Sequence, residues 1–177
     1  MILTTHFITG ATITKLIPNK PLAYLLAFLS HFFLDIFPHS DYSLKNLDNG
    51  IKDKKFYIDL GKICLDLFSG IIFIIISANV FDNFKIGPAI IGGFLSTIPD
   101  LLNSLLYLIH KGNFLHLIKG QPLENIKNFS AQEKNPINSI HRFAHDKIFP
   151  FKKKVSLLVG ISTQIIVIII DVLLLSI

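Results

Sequence analysis

Apolar residues fall into five long stretches along this chain, at 2–17, 21–37, 57–80, 86–109 and 155–177. Inside them apolar side chains occupy consecutive positions, as in IIFIII at 71–76 and IIVIII at 165–170. Strands of a membrane barrel alternate apolar and polar residues, so this pattern argues against a barrel. A backbone in lipid must satisfy its own polar groups, which leaves helices. A hydrocarbon core of ~30 Å needs about 20 helical residues. The third, fourth and fifth stretches meet that length and the second nearly does. The first is short, and fits a brief span, a re-entrant segment or an interfacial helix. The pattern predicts an all-α polytopic membrane bundle of four to five membrane helices, one integral membrane domain over 1–177.

Two polar connections separate the runs, at 38–56 and 111–154. In the second, Asn135-Pro136 reads as an N-cap followed by proline at the first helical position. That predicts a short amphipathic helix over 136–148. If all five stretches cross, both connections lie on one side with thirteen of the Lys and Arg residues, against Lys15, Lys20 and Lys85 on the other. The excess places the connections and the N-terminus in the cytoplasm and the C-terminus outside. Residues 1–17 have no basic n-region and Lys15 comes late, so they read as mature protein and not as a signal peptide.

Composition agrees with the pattern. Only 16% of residues are charged, where soluble domains carry roughly 25%. A domain this small could not enclose so many apolar side chains in one aqueous core. The net charge of +5 comes from lysines between the runs, where they meet anionic headgroups of membrane lipids. No nucleic-acid motif accompanies them, and no nucleic-acid partner is expected. Cys64 is the single cysteine. It cannot form an internal disulfide and reads as a small buried hydrophobe.

The runs contain ionisable residues that are costly in lipid, roughly 2.5–3.5 kcal/mol each. His31 and Asp35 share one helix face at i, i+4. Such a pair can bind a divalent metal, let the carboxylate orient the imidazole, or serve as a buried pair that fixes packing. Asp59, Lys62 and Asp66 share a face of the third run. Lys62 can neutralise either aspartate; Asp66 lies deeper and is the functional candidate. Pro99 opens the backbone inside the fourth run, and Asp100 beside it is a ligand, a catalytic group or a cap of the broken helix. His141 and His145 have the i, i+4 spacing of zinc ligands, but Arg142 stands where HExxH has glutamate, so they equally suit an exposed amphipathic face. His110 and His116 flank Gly112. In a five-crossing arrangement His6, Asp35 and His39 lie near one face. His31, Asp66 and Asp100 lie roughly 10–15 Å below it, at the helical rise. Asp171 falls in the outer half of the last run and is expected to reach water or headgroups, away from the site.

These residues resemble a known group. Thr5-His6-Phe7-Ile8-Thr9-Gly10-Ala11, Ser30-His31-Phe32-Phe33-Leu34-Asp35, Pro38-His39-Ser40-Asp41 and Pro99-Asp100 resemble segments of the bacterial membrane-bound metal-dependent hydrolases. That inner-membrane group is distantly likened to zinc-dependent phospholipase C. His141-Arg142-Phe143-Ala144-His145 departs from the group's His-Arg-Gly…Thr-His pattern. The resemblance implies a helical membrane hydrolase with His6, His31, Asp35 and Asp100 as site residues.

The sequence reading is therefore a metal-dependent hydrolase of the cytoplasmic membrane, acting on an ester or phosphoester that is lipid-like. The expected cofactor is a divalent metal, zinc first, with manganese also compatible. His6, His31, Asp35 and Asp100 would hold it. Asp100, Asp66 and His39 are the catalytic candidates; Asp41, His141 and His145 are secondary ones. Two other classes fit the same residues: a proton- or ion-coupled small transporter, since buried Asp and His also relay protons, and a non-catalytic scaffold whose polar residues join helices.

Overall fold

In the computed structural model the described residues are 1–49, 53–81, 84–110 and 156–177. They form five α-helices: α1 (Leu3–Leu16), α2 (Lys20–Leu34), α3 (Lys54–Val80), α4 (Ile86–His110) and α5 (Leu157–Leu175). A 3-10 turn, Lys45–Asn49, precedes α3. No strand occurs among the described residues. The helix bounds track the apolar runs, and local chemistry sets their starts. Asn19 accepts the Leu22 N–H at 3.1 Å and Pro21 stands in the first turn of α2. Asp53 caps α3 by accepting Lys55 N–H at 2.8 Å, and Ser156 caps α5. Such caps satisfy donors that the first turn leaves over. The predicted helix over 136–148, with His141 and His145, lies outside the described residues.

α1 is the central element. It packs against all four other helices, and the side chains of Thr5, His6, Phe7, Ile8, Ala11, Thr12 and Thr14 are all buried. At 14 residues it is about 21 Å long, short of a ~30 Å hydrocarbon core. Its hydroxyls are satisfied inside the protein, as when Thr12 and Thr14 donate to the carbonyls of Ile8 and Ala11. α4 crosses it at backbone contact. A Cβ added to Gly10 would lie 2.6 Å from Ser96 Cβ, and one added to Gly92 would lie 2.8 Å from Thr14 Oγ1. Small residues let the two backbones meet.

Two of these helices, α3 and α5, are long and apolar enough to cross a membrane. The count is below the four to five expected, for local reasons. α1 and α2 are short, and α4 breaks its apolar run with Gly92, Gly93, Ser96, Thr97, Pro99 and Asp100, of which Gly92, Gly93, Ser96 and Asp100 meet neighbouring helices. α3 and α5 instead turn Leu65, Phe68, Ile72, Ile76, Leu158, Ile166 and Ile170 outward. Cys64 is exposed on α3, against the expectation of burial, because it follows the outward stripe of that helix.

α5 runs in the same direction as α1 along a ladder of polar contacts. Gln164 Oε1 accepts the Ile2 N–H at 3.1 Å, Asp171 accepts the Thr9 hydroxyl at 2.6 Å, and Lys15 Nζ donates to the Leu175 carbonyl at 2.6 Å. Asp171 is 4% exposed. The expectation that it reaches water is overturned: a facing threonine supplies the donor that solvent would have supplied. Asp171→Ala should cost about 1 kcal/mol, the scale of an interhelical hydrogen bond in a membrane protein, read as a lowered thermal midpoint in detergent.

Candidate metal centre

Three helices bring their polar residues to one point. His31 lies in the last turn of α2 and Asp35 is its C-cap. Helical spacing places His31 Nε2 3.2 Å from Asp35 Oδ2. α1 adds His6, whose Nε2 is 3.3 Å from Asp35 Oδ1 and whose ring centroid is 4.4 Å from that of His31. α4 adds Asp100, with Oδ1 3.6 Å from His31 Nε2. One ligand atom from each of His6, His31 and Asp100 falls within 4.8 Å of the others, and Asp35 touches both histidines. His6, His31 and Asp35 are fully buried, while Asp100 is 25% exposed.

The tautomer of His31 is fixed by geometry. Its Nδ1 is 3.0 Å from the carbonyl oxygen of Ser96. That oxygen can only accept, so Nδ1 carries hydrogen and Nε2 is the atom directed at the carboxylates. A neutral Nε2 lone pair facing carboxylate lone pairs is repulsive unless a cation lies between them. Neutral His6 with its hydrogen on Nε2 can donate to Asp35, so the carboxylates facing His31 Nε2 call for one further positive charge, a proton on that ring or a metal ion. His6 Nδ1 and the Thr5 hydroxyl, both buried, make no hydrogen bond among the described residues.

His39 and Asp41 form an outer arm. His39 Nδ1 donates to the Phe37 carbonyl at 2.8 Å, so Nε2 again faces inward, 3.3 Å from Asp41 Oδ2 and 4.0 Å from Asp35 Oδ1. The α-amino group of Met1 lies 3.1 Å from Asp35 Oδ1 and 3.2 Å from Asp41 Oδ1. Burial works against ionisation of Asp41, but the His39 hydrogen bond and the positive amino group outweigh it and hold the carboxyl well below the usual range. A cavity of about 190 Å³ adjoins the cluster. Asp41, Tyr42, Asp100 and Ser104 supply its polar lining and Leu44, Ile63 and Leu101 its apolar side.

Asp66 is not brought into this group. Its carboxylate accepts the N–H groups of Leu3 at 2.7 Å and Thr4 at 3.0 Å, the Thr4 hydroxyl, and the Tyr42 hydroxyl at 3.1 Å. It therefore caps the first turn of α1, which has no cap of its own, and its position fixes the turn before His6. Burial and the Asp66 charge push the Tyr42 phenol upward, keeping it a donor. Asp59 takes the ion-pair alternative: it accepts from Lys62 Nζ at 2.6 Å and from Asn46 N–H at 2.7 Å, tying the 3-10 turn to α3. Asp66→Asn should lower stability by about 1 kcal/mol, the scale of a lost helix cap, measurable as a shifted melting curve.

Sequence reasoning passed over Gln164 and the Ser96 carbonyl. Gln164 had a visible signal, an amide inside an apolar run. The Ser96 carbonyl had none, since any residue carries one. No family model, curated protein or solved structure matches this chain.

Proposed function

We propose that the chain is a membrane-embedded hydrolase whose His6, His31, Asp35 and Asp100 hold one divalent metal. The observation that carries this reading is the convergence of ligand atoms of His6, His31 and Asp100 within 4.8 Å of one another, with His31 Nε2 directed at the Asp35 and Asp100 carboxylates. The donor set of two imidazoles and carboxylates suits zinc, and manganese is compatible. When bound, such an ion lowers the pKa of a water and polarises an ester or phosphoester. The chain's own residues do the rest. Ser96 orients His31 through its carbonyl, as outer partners of metal-binding histidines do. Asp35 spans both rings and fixes their separation. Asp100 connects the enclosed cluster to the cavity, where it can accept a proton from a bound nucleophile as general base. The apolar side of that cavity suits a lipid-like substrate. The resemblance of the short segments around His6, His31, His39 and Asp100 to membrane-bound hydrolases, read from the sequence, is in keeping with this proposal.

We place α1, α2 and α4 in the bilayer with α3 and α5, and the 38–56 and 111–154 connections in the cytoplasm of an inner membrane. The basic residues of those connections support that orientation. On a Cys64→Ser background, cysteines at 43 and 130 should label with impermeant reagent only after cell lysis. Labelling of both in intact cells would reverse the orientation.

Elemental analysis of the purified protein tests the metal. Bound zinc or manganese that is lost in His31→Ala supports the hydrolase. Proton-linked flux in proteoliposomes with no bound metal would favour a transporter instead.

A further inference from the structure

The outer arm of the centre has its own coordination chemistry. His39 is pinned through Nδ1 to the Phe37 carbonyl, which leaves Nε2 as the atom that faces the carboxylates. Asp41 Oδ2 is 3.3 Å from it and Asp35 Oδ1 is 4.0 Å from it. Donors around a tetrahedral ion with bonds of about 2.1 Å are ~3.4 Å apart, so His39 and Asp41 have the spacing of a ligand pair and Asp35 Oδ1 stands slightly beyond it. The carboxylate of Asp35 is divided between two neighbourhoods. Its Oδ2 faces His31, while its Oδ1 faces His39 as well as His6. A cation already rests in the outer one: the α-amino group of Met1 touches both Asp35 Oδ1 and Asp41 Oδ1.

We propose that Asp35, His39 and Asp41 form a second divalent-cation site, with Asp35 bridging it to the first. The proposal rests on the metal reading of the first centre, because Asp35 is common to both. A carboxylate that gives one oxygen to each of two ions holds them at about the 3.5–4 Å separation used by two-metal hydrolases. The two sites differ in access. Asp100 of the first site and Asp41 of the second both line the cavity, and the Asp41 side chain is the more exposed, 54% against 25%. The outer ion would therefore exchange with solvent first. The alternative occupant of the outer site is the amino group itself, acting as its permanent cation.

Manganese separates these cases. The full chain in detergent is equilibrated with Mn²⁺, freed of excess ion, and examined by elemental analysis and by electron paramagnetic resonance. The wild type is expected to hold two ions per chain with an exchange-coupled spectrum. Asp41→Ala and His39→Gln should each hold one, with an uncoupled spectrum. Asp41 is largely exposed, so its variant tests the site without disturbing the packing. One uncoupled ion in the wild type would overturn the second site and leave the first standing. No bound ion would overturn both. Two ions that persist in both variants would overturn the assignment to His39 and Asp41.

Discussion

Purified Asp35→Ala protein should contain almost no divalent metal, and His31→Ala should lose the ion of the first centre, while both remain folded in detergent. Loss of an outer partner of a metal ligand typically weakens binding about 10–100-fold, so loss of a direct ligand should exceed about 100-fold. Asp35 should have the larger effect of the two, because it contacts both His6 and His31. The helices should survive in both variants. The outward apolar faces of α3 and α5 and the close contact of α1 with α4 do not involve either side chain. Circular dichroism alongside elemental analysis checks the two halves of the expectation. Full metal content in Asp35→Ala would remove the physical basis of the proposed centre. Loss of helix in both variants would show the cluster to be a folding element and not a ligand set.

The second large effect is expected at the crossing of α1 and α4. Gly92→Leu would drive a side chain into Thr14 and the Gly10 carbonyl, and Gly10→Leu would meet Ser96 and the Gly92 backbone. Overpacking of this kind costs about 1–3 kcal/mol when neighbours can yield, and more against backbone. Here the first obstacles include carbonyl groups of a facing helix, so the upper part of that range or beyond is expected. The damage should extend to the centre, because α4 carries both the Ser96 carbonyl that orients His31 and Asp100 itself. Gly92→Leu should therefore lower the thermal midpoint and the metal content together. In contrast, Gly61→Leu meets nothing within 4 Å and should change neither. A stable, metal-replete Gly92→Leu protein would mean that α1 and α4 are held apart in solution.

Helix formation, the helix bounds and the pairing of His31 with Asp35 are properties of the sequence alone. Each depends on spacing along one helix, which the 3.6-residue period fixes without reference to any neighbour. Asp66, Asp100 and Asp171 look alike in the sequence, each a carboxylate in an apolar run. The tertiary structure separates them. Asp66 meets the free N–H groups of α1, Asp171 meets the Thr9 hydroxyl, and Asp100 meets His31. A buried carboxylate must find a donor or a cation, but the helix that supplies it is set by which faces touch. In this protein that choice depends on Gly10 and Gly92, whose missing side chains bring α1 against α4 and carry His6 and Asp100 to the same point as His31.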